Sequence, residues 1–522
     1  MPRLAAGDTA WYCIRRSGVA QRHGWIDGPM PAALRTDVGA LPDETVELCS
    51  ECRFRTVEKG RFAREFTHRA RGVIGMEIAF RGEVARFAPT QMLAANLGFG
   101  RALEKYCAKN AADKGEILDR GRLRAFSARQ FLLPGGSDTK PVELIRGSTP
   151  VDPDPPPGED RAAVLADGIG RWMLRNLSPD GAIPYKYWPS RGTCSPADNA
   201  IRRFLGSLAL ARLAELRNCA ELREAGRRNL RFNLNRYFRN IGNGRGAIVE
   251  GAEAKLGAAA IAGLAIMANS AGADFLDELT MLAAGIASLE DDEFGFRTFF
   301  FPGERDGENW NFYSGEALLF WAEAARRGLP FAPSLKRCTN VFERCRARHS
   351  RKRNPAFVPW HTQACASLFA QTGRPAFADF AFEMNDWLLP MQQWRGLPPD
   401  MRGRFYDPRR PDFGPPHAAS TGAYLEGLAD AAALARALDN RNRTTAYERA
   451  LDRGLRSLRQ LQFRDWRDTF YISKPERVLG ALRTEVYDNA VRVDSAAHAL
   501  LAAVKVLRPI DFGAAGPAPG PG

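Results

Sequence analysis

The 522-residue sequence predicts a mainly α-helical, multidomain chain: a small α+β domain over about residues 1–150, then an (α/α)6 toroid of about twelve helices over 162–508. Three observations predict it. Strand-like alternation and hairpin turns are confined to the first 150 residues. Beyond residue 162 the apolar spacing is helical throughout. The connections between those helices alternate between short and long, as in a series of helix hairpins closed into a ring.

In the first part, Thr45 to Val57 alternates as a strand. Val73 to Phe80 and Glu83 to Phe87, joined by Arg81 and Gly82, read as a hairpin. Helical spacing then runs from Gln91 to about Lys109, with Thr90 placed to cap it. A second strand pair, Phe126 to Leu133 and Pro141 to Arg146, flanks a turn of Pro134, Gly135, Gly136 and Ser137. Cys49 and Cys52 form a CxxC, but no second pair stands at zinc-finger spacing and no thioredoxin-like context surrounds it. No cofactor and no metal is expected. Residues 151–161 set four prolines among acidic residues, which reads as a stiff, solvated linker.

The toroid is read from twelve helical stretches: 162–176, 199–216, 220–239, 255–269, 274–289, 314–327, 333–349, 359–371, 375–393, 420–437, 443–462 and 494–507. Short links near Arg217, Ala271, Gly328, Gly373 and Asn440 make antiparallel pairs. The long loops, about 177–198, 240–254, 290–313, 350–358, 394–419 and 463–493, then fall at one end. Helices that follow long loops are rich in Ala and Gly, as in Leu256 to Ala265 and Gly422 to Ala433, which suits a close-packed inner ring. Those that precede them carry Arg and acid, as in Arg223 to Arg239, which suits a solvated outer ring. After Arg508 the Gly, Pro and Ala tail 509–522 reads as disordered.

Composition narrows the function. The formal charge is +14, but the arginines are spread through helices and no nucleic-acid module is present, so nucleic acid is not the expected partner. No apolar run reaches the roughly 20 residues of a membrane span. The first sixteen residues lack a signal-peptide layout, and the nine cysteines are scattered and odd in number, so a cytoplasmic protein is expected.

With these helices, the phrases Asn199 to Leu210 after a Tyr185-Lys186-Tyr187 loop, Lys255 to Leu264, Tyr313 to Leu318, Ser420 to Leu428 and Arg492 to His498 carry a resemblance. Over about 162–508 the chain resembles the six-hairpin glycosidase-like superfamily, which includes unsaturated glucuronyl hydrolases, N-acylglucosamine epimerases and related uronyl lyases and epimerases. The resemblance implies a sugar site at the loop-bearing end. It picks no single family and transfers no catalytic residue.

The first turns of the inner helices nonetheless supply what a sugar site needs. Glu316, Asp198, Glu426 and Asp494 are the candidate acids and bases. Glu316 and Glu426 lie in apolar helices where a carboxylate is costly unless it faces a polar cavity, whereas Asp198 and Asp494 also fit as helix caps. Arg202 and Arg492 would hold a substrate carboxylate, Trp310, Tyr313 and Trp360 would stack on sugar rings, and Tyr313 and Tyr424 could donate or take protons in an epimerase or lyase. His361 and His498 complete the set, His498 standing four residues after Asp494. The expected function is an enzyme acting on an acidic sugar or uronic-acid polymer by hydrolysis, elimination or epimerisation. The alternatives are a non-catalytic module in bacterial polymer biosynthesis, its protein partner bound through residues 1–150, and a terpene- or lanthionine-cyclase-like toroid.

Overall fold

The computed structural model describes residues 8–28, 43–135, 140–147, 149–150 and 160–512. The expected linker falls outside them up to residue 159, the expected tail from residue 513 on, and Gly136 and Ser137 of the expected turn also lie outside. The chain forms two compact units. One takes the described residues of 1–155 together with 187–194 and 460–491; the other takes those of 156–186, 195–459 and 492–522.

The first unit is built on an antiparallel sheet of β1 (Thr9–Arg16), β2 (Val19–Asp27), β3 (Glu44–Thr56), β4 (Ile74–Phe80), β5 (Glu83–Phe87), β6 (Arg122–Pro134) and β7 (Val142–Leu144). The order is β2-β1-β3-β6-β4-β5, with β7 beside β6. The hairpin β4–β5 turns where expected, with Arg81 and Gly82 both at positive φ, the pair of left-handed residues that a tight two-residue hairpin requires. Strands β1 and β2 escaped the sequence reading. Residues 10–14 of β1 are buried without a break, so the alternation that betrays a half-solvated strand is missing.

The expected helix from Gln91 to Lys109 is instead two, Pro89–Ala94 and Phe99–Lys109. Asn96 takes a left-handed conformation between them, which a continuous helix forbids. Thr90 is therefore not a cap. It is fully buried, its hydroxyl 3.2 Å from the Cys49 sulfur, and this contact holds the CxxC strand against the helix. All nine cysteines are free.

Residues 460–491 belong to this unit through specific bonds. The Asn489 amide donates to the Leu93 carbonyl at 2.7 Å, Arg71 donates to the Tyr487 carbonyl at 2.8 Å, and the Gln460 amide donates to the Pro150 carbonyl at 2.7 Å.

The second unit holds the helices α1 (Arg161–Asn176), α2 (Ala200–Arg217), α3 (Ala220–Tyr237), α4 (Leu256–Ala268), α5 (Leu276–Ala287), α6 (Trp310–Arg326), α7 (Leu335–Arg351), α8 (Val358–Thr372), α9 (Pro375–Leu388), α10 (Ala418–Ala437), α11 (Arg441–Leu461) and α12 (Val493–Leu507). The even-numbered helices pack neighbour on neighbour in chain order, and α12 closes onto α2. They form a closed inner ring. The odd-numbered helices lie outside, α3 on α2, α5 on α4, α7 on α6 and α9 on α8. This is an (α/α)6 toroid.

Small residues let the inner helices approach. A Cβ at Gly427 of α10 would stand 2.8 Å from the backbone of Pro359 in α8, and one at Gly422 would stand 2.8 Å from the backbone of α12. Both distances are shorter than atoms tolerate, so only glycine permits these crossings. Helix α4, the inner helix richest in alanine, is buried all round. Among the described residues no helix is long and apolar enough to cross a membrane.

Candidate functional site

The N-terminal turns of the inner helices and the long loops before them enclose a cavity of about 360 Å³ within the second unit. Five of the six inner helices send side chains into it from their first two turns: Arg202 and Leu205 from α2, Ile261 from α4, Tyr313 and Glu316 from α6, Trp360 from α8, and Tyr424 from α10. The sixth, α12, adds Asp494 and His498. The loop 394–419 closes a side with Phe405, Tyr406, Asp407 and Phe413.

Glu316 is the chemically singular residue. It is 4 % exposed, its Oε2 has no hydrogen-bond partner among the described residues, and burial alone raises its carboxyl from the usual 4.5 to about 8. At neutral pH it is mostly a neutral acid with a proton to give. Its place exists because residue 257 of the neighbouring helix is glycine: a Cβ there would collide with Glu316 Oε2 and with the Tyr313 ring. Tyr313 stays protonated, its phenol pushed up by burial and then by Glu316.

Asp494 has the opposite electrostatics. Burial works to raise its carboxyl, but two guanidinium groups outweigh that and hold it below the usual carboxylate range. Arg492 donates through Nε at 2.9 Å and through Nη2, and Arg202 Nε lies 3.1 Å from Oδ2. Arg202 also donates to the Tyr185 hydroxyl and lies over its ring, 5.3 Å from the centroid.

Glu426 does not face this cavity. Its Oε1 is 2.6 Å from His498 Nδ1, and the residue borders a separate cavity with Leu264, Glu323, Gln363, Asp430 and Lys505. Its carboxyl is raised because burial exceeds the help from His498. Since Nδ1 is engaged by Glu426, Nε2 is the nitrogen of His498 left for chemistry, a carboxylate-oriented imidazole. Trp360 borders both cavities and lies near the His498 ring, 6.0 Å between centroids.

Three residues expected at the site line a different environment. Asp198 is bound by Arg203 and the Tyr237 hydroxyl, with Arg236 at 3.2 Å and its oxygen accepting the Asn199 N–H at 2.9 Å. Those bonds overcome burial and lower its carboxyl. Asn199, not Asp198, caps α2, accepting from the Arg202 N–H at 3.1 Å. Trp310 stands in the first turn of α6, which begins four residues earlier than expected; its indole donates to the Phe294 carbonyl at 3.1 Å and stacks on Phe357. His361 is fully buried, its Nδ1–H donating to the Phe357 carbonyl at 2.9 Å, and burial lowers its pKa to about 3.

Two more titratable residues line the cavity: His417, which the sequence places on the rim, and Asp407, which went unassigned. His417 caps α10 by accepting the Ser420 N–H at Nδ1, 3.0 Å, and burial followed by Arg492 lowers its pKa to about 4, so it is neutral. Asp407 accepts the Arg409 N–H at 3.0 Å and pairs with its guanidinium at 3.2 Å. It sits in an irregular loop, where no periodicity marks which residue faces inward. Among the described residues no group of three or more His, Cys, Asp or Glu side chains is placed to hold a metal ion.

No protein-family model matches the chain, and no curated protein does. Solved structures of similar helix arrangement include the GH76A α-1,6-mannanase of Salegentibacter sp. HEL1_6, 10% identical with a TM-score of 0.48, covering 66% of this chain and 99% of that one. A D-mannose isomerase is 13% identical with a TM-score of 0.47, over 68% and 100%. An unsaturated glucuronyl hydrolase specific for heparin is 12% identical with a TM-score of 0.45, over 67% and 97%.

Proposed function

We propose that the protein is a carbohydrate-active enzyme that hydrolyses a glycosidic bond of an acidic sugar in the cavity at the loop-bearing end of the toroid. The observation that carries the reading is Glu316: a buried carboxyl, neutral at pH 7, with one oxygen unpartnered in the wall of an aromatic-lined cavity. Such a group is suited to protonate the leaving oxygen as the C–O bond breaks. His498, oriented by Glu426, takes the proton of the water whose oxygen bonds to the sugar carbon. Tyr313, Trp360 and Tyr424 offer ring faces to the pyranose.

An acidic substrate is favoured by charge. Two guanidinium groups, Arg202 and Arg492, share the single carboxylate of Asp494, and Asp407 is already paired with Arg409. The two guanidinium groups at the wall suit a uronate carboxylate.

The test is incubation of the purified protein with uronic-acid oligosaccharides and with neutral ones, Glu316→Gln serving as control. New reducing ends from acidic substrates, lost in the variant, are expected. An ultraviolet-absorbing unsaturated product would replace hydrolysis by elimination. Neither binding nor conversion of any sugar would overturn the proposal and favour a non-catalytic module.

A further inference from the structure

Beside the cavity lies a separate depression of about 280 Å³, and the two share Asn309 and Phe413 in their walls. Its lining is strongly basic. Arg348, Lys352 and Arg353 come from the C-terminal turn of α7 and the residues after it, and Arg410 comes from the loop 394–419; Asp412 is the one acidic residue of the lining. Sequence alone explains the α7 cations as partners of a helix C-terminus, where positive charge is favourable. That account does not cover Arg410, which a loop more than 50 residues further along the chain brings to the same depression.

The pairing pattern decides which charges are available. Arg353 is held by Glu383, and Arg410 by Asp412 at 2.8 Å. Arg348 and Lys352 have no carboxylate within 4.0 Å among the described residues. Arg348 is instead fixed against two aromatic faces, 4.3 Å from the centroids of both Phe294 and Trp310. A guanidinium held on rings keeps its N–H edge free to donate while its position is set. Asn309, Asn311 and Asn354 add amides to the same lining. Two cations outside any ion pair within 4.0 Å, one of them pre-positioned, beside three amides are the chemistry of an anion subsite rather than of a solvated face.

We infer that this depression is a second subsite, which takes the carboxylate or sulfate of the sugar unit linked to the one in the cavity, so that the substrate is an oligomer bearing acid on adjacent units. The inference rests on the cavity being a sugar site. Trp310 thereby acquires a positioning role: its ring carries Arg348 in the wall of the depression.

Calorimetry on the full-length Glu316→Gln protein, with galacturonate oligomers of one to four units and neutral cello-oligosaccharides, tests this. Going from monomer to dimer tightens binding of the galacturonate series by about tenfold but leaves the neutral series nearly flat. Lys352→Gln, an exposed change that leaves the fold intact, weakens the dimer about threefold and the monomer not at all, the size expected of one partly screened charge pair. Arg348→Gln does the same more strongly, and raising salt shrinks both effects. Monomer binding with no gain on lengthening, or dimer binding indifferent to both variants, would overturn the subsite while leaving the sugar cavity standing. Absence of binding by every sugar would overturn both.

Discussion

Replacing Glu316 by Gln removes one ionisation and keeps the shape of the side chain. In the folded chain the carboxyl is raised to about 8, against 4.5 in an unfolded chain. Between those values the unfolded state has released the proton and the folded state has kept it. The wild type is therefore most favoured below pH 4.5 and loses stability as pH rises toward 8, at about 1.4 kcal/mol per pH unit from this group. From pH 4.5 to pH 7 the loss is on the order of 3 kcal/mol. The residue is nearly fully buried, so solvent screening does not reduce the figure much. Urea unfolding of both proteins between pH 5 and pH 8 measures it. The difference in stability, Gln variant minus wild type, is expected to grow steadily with pH. Parallel curves for the two proteins would refute the claim that Glu316 is held neutral by burial, and with it the assignment of Glu316 as the acid.

Gly257→Ala places a methyl group against Glu316 Oε2 and the Tyr313 ring. It is expected to cost about 1–3 kcal/mol by overpacking and to lower kcat, and a melting curve beside a rate assay would show both. Asp198→Asn breaks a network with Arg203 and Tyr237 outside the cavity, so a loss of roughly 1–3 kcal/mol with kcat nearly unchanged is expected. A collapse of kcat at intact stability would return Asp198 to the catalytic set. Glu426→Gln leaves His498 without its carboxylate and is expected to slow turnover about tenfold or more with KM little changed, which steady-state kinetics would show.

Much of the second unit was legible because its physics is local. Twelve helices were found from apolar spacing, and the Ala and Gly content separated the ring that must pack closely from the ring that faces water. The first unit was less legible. A strand buried on both faces, such as β1, shows no alternation, and nothing in the run Gln91 to Lys109 announces the left-handed turn at Asn96. The site divided in the same way. Glu316, Asp494, Arg202, Arg492, Tyr313, Trp360, Tyr424 and His498 converge on one cavity because each lies within two turns of an inner-helix start. Trp310, His361 and Asp198 obey the same spacing and face elsewhere, since which side of a helix looks inward depends on its rotation against two neighbours.

By itself the sequence determined the order of the helices of the second unit, their alternation between inner and outer, and the end of the ring at which the long loops gather. Those follow from periodicity, loop length and residue size, each read within a few turns of chain. Only the tertiary structure decided which carboxyl is neutral and which charged, because that depends on neighbours far apart in sequence: Glu316 meets Gly257 and is raised by burial alone, whereas Asp494 meets Arg202, nearly 300 residues away in sequence. It also decided that Glu426 pairs with His498, and that the basic run after α7 meets Arg410 beside the cavity. Helix geometry fixes which residues are near one another along a face, but burial and charge pairing arise only when separate helices are brought together.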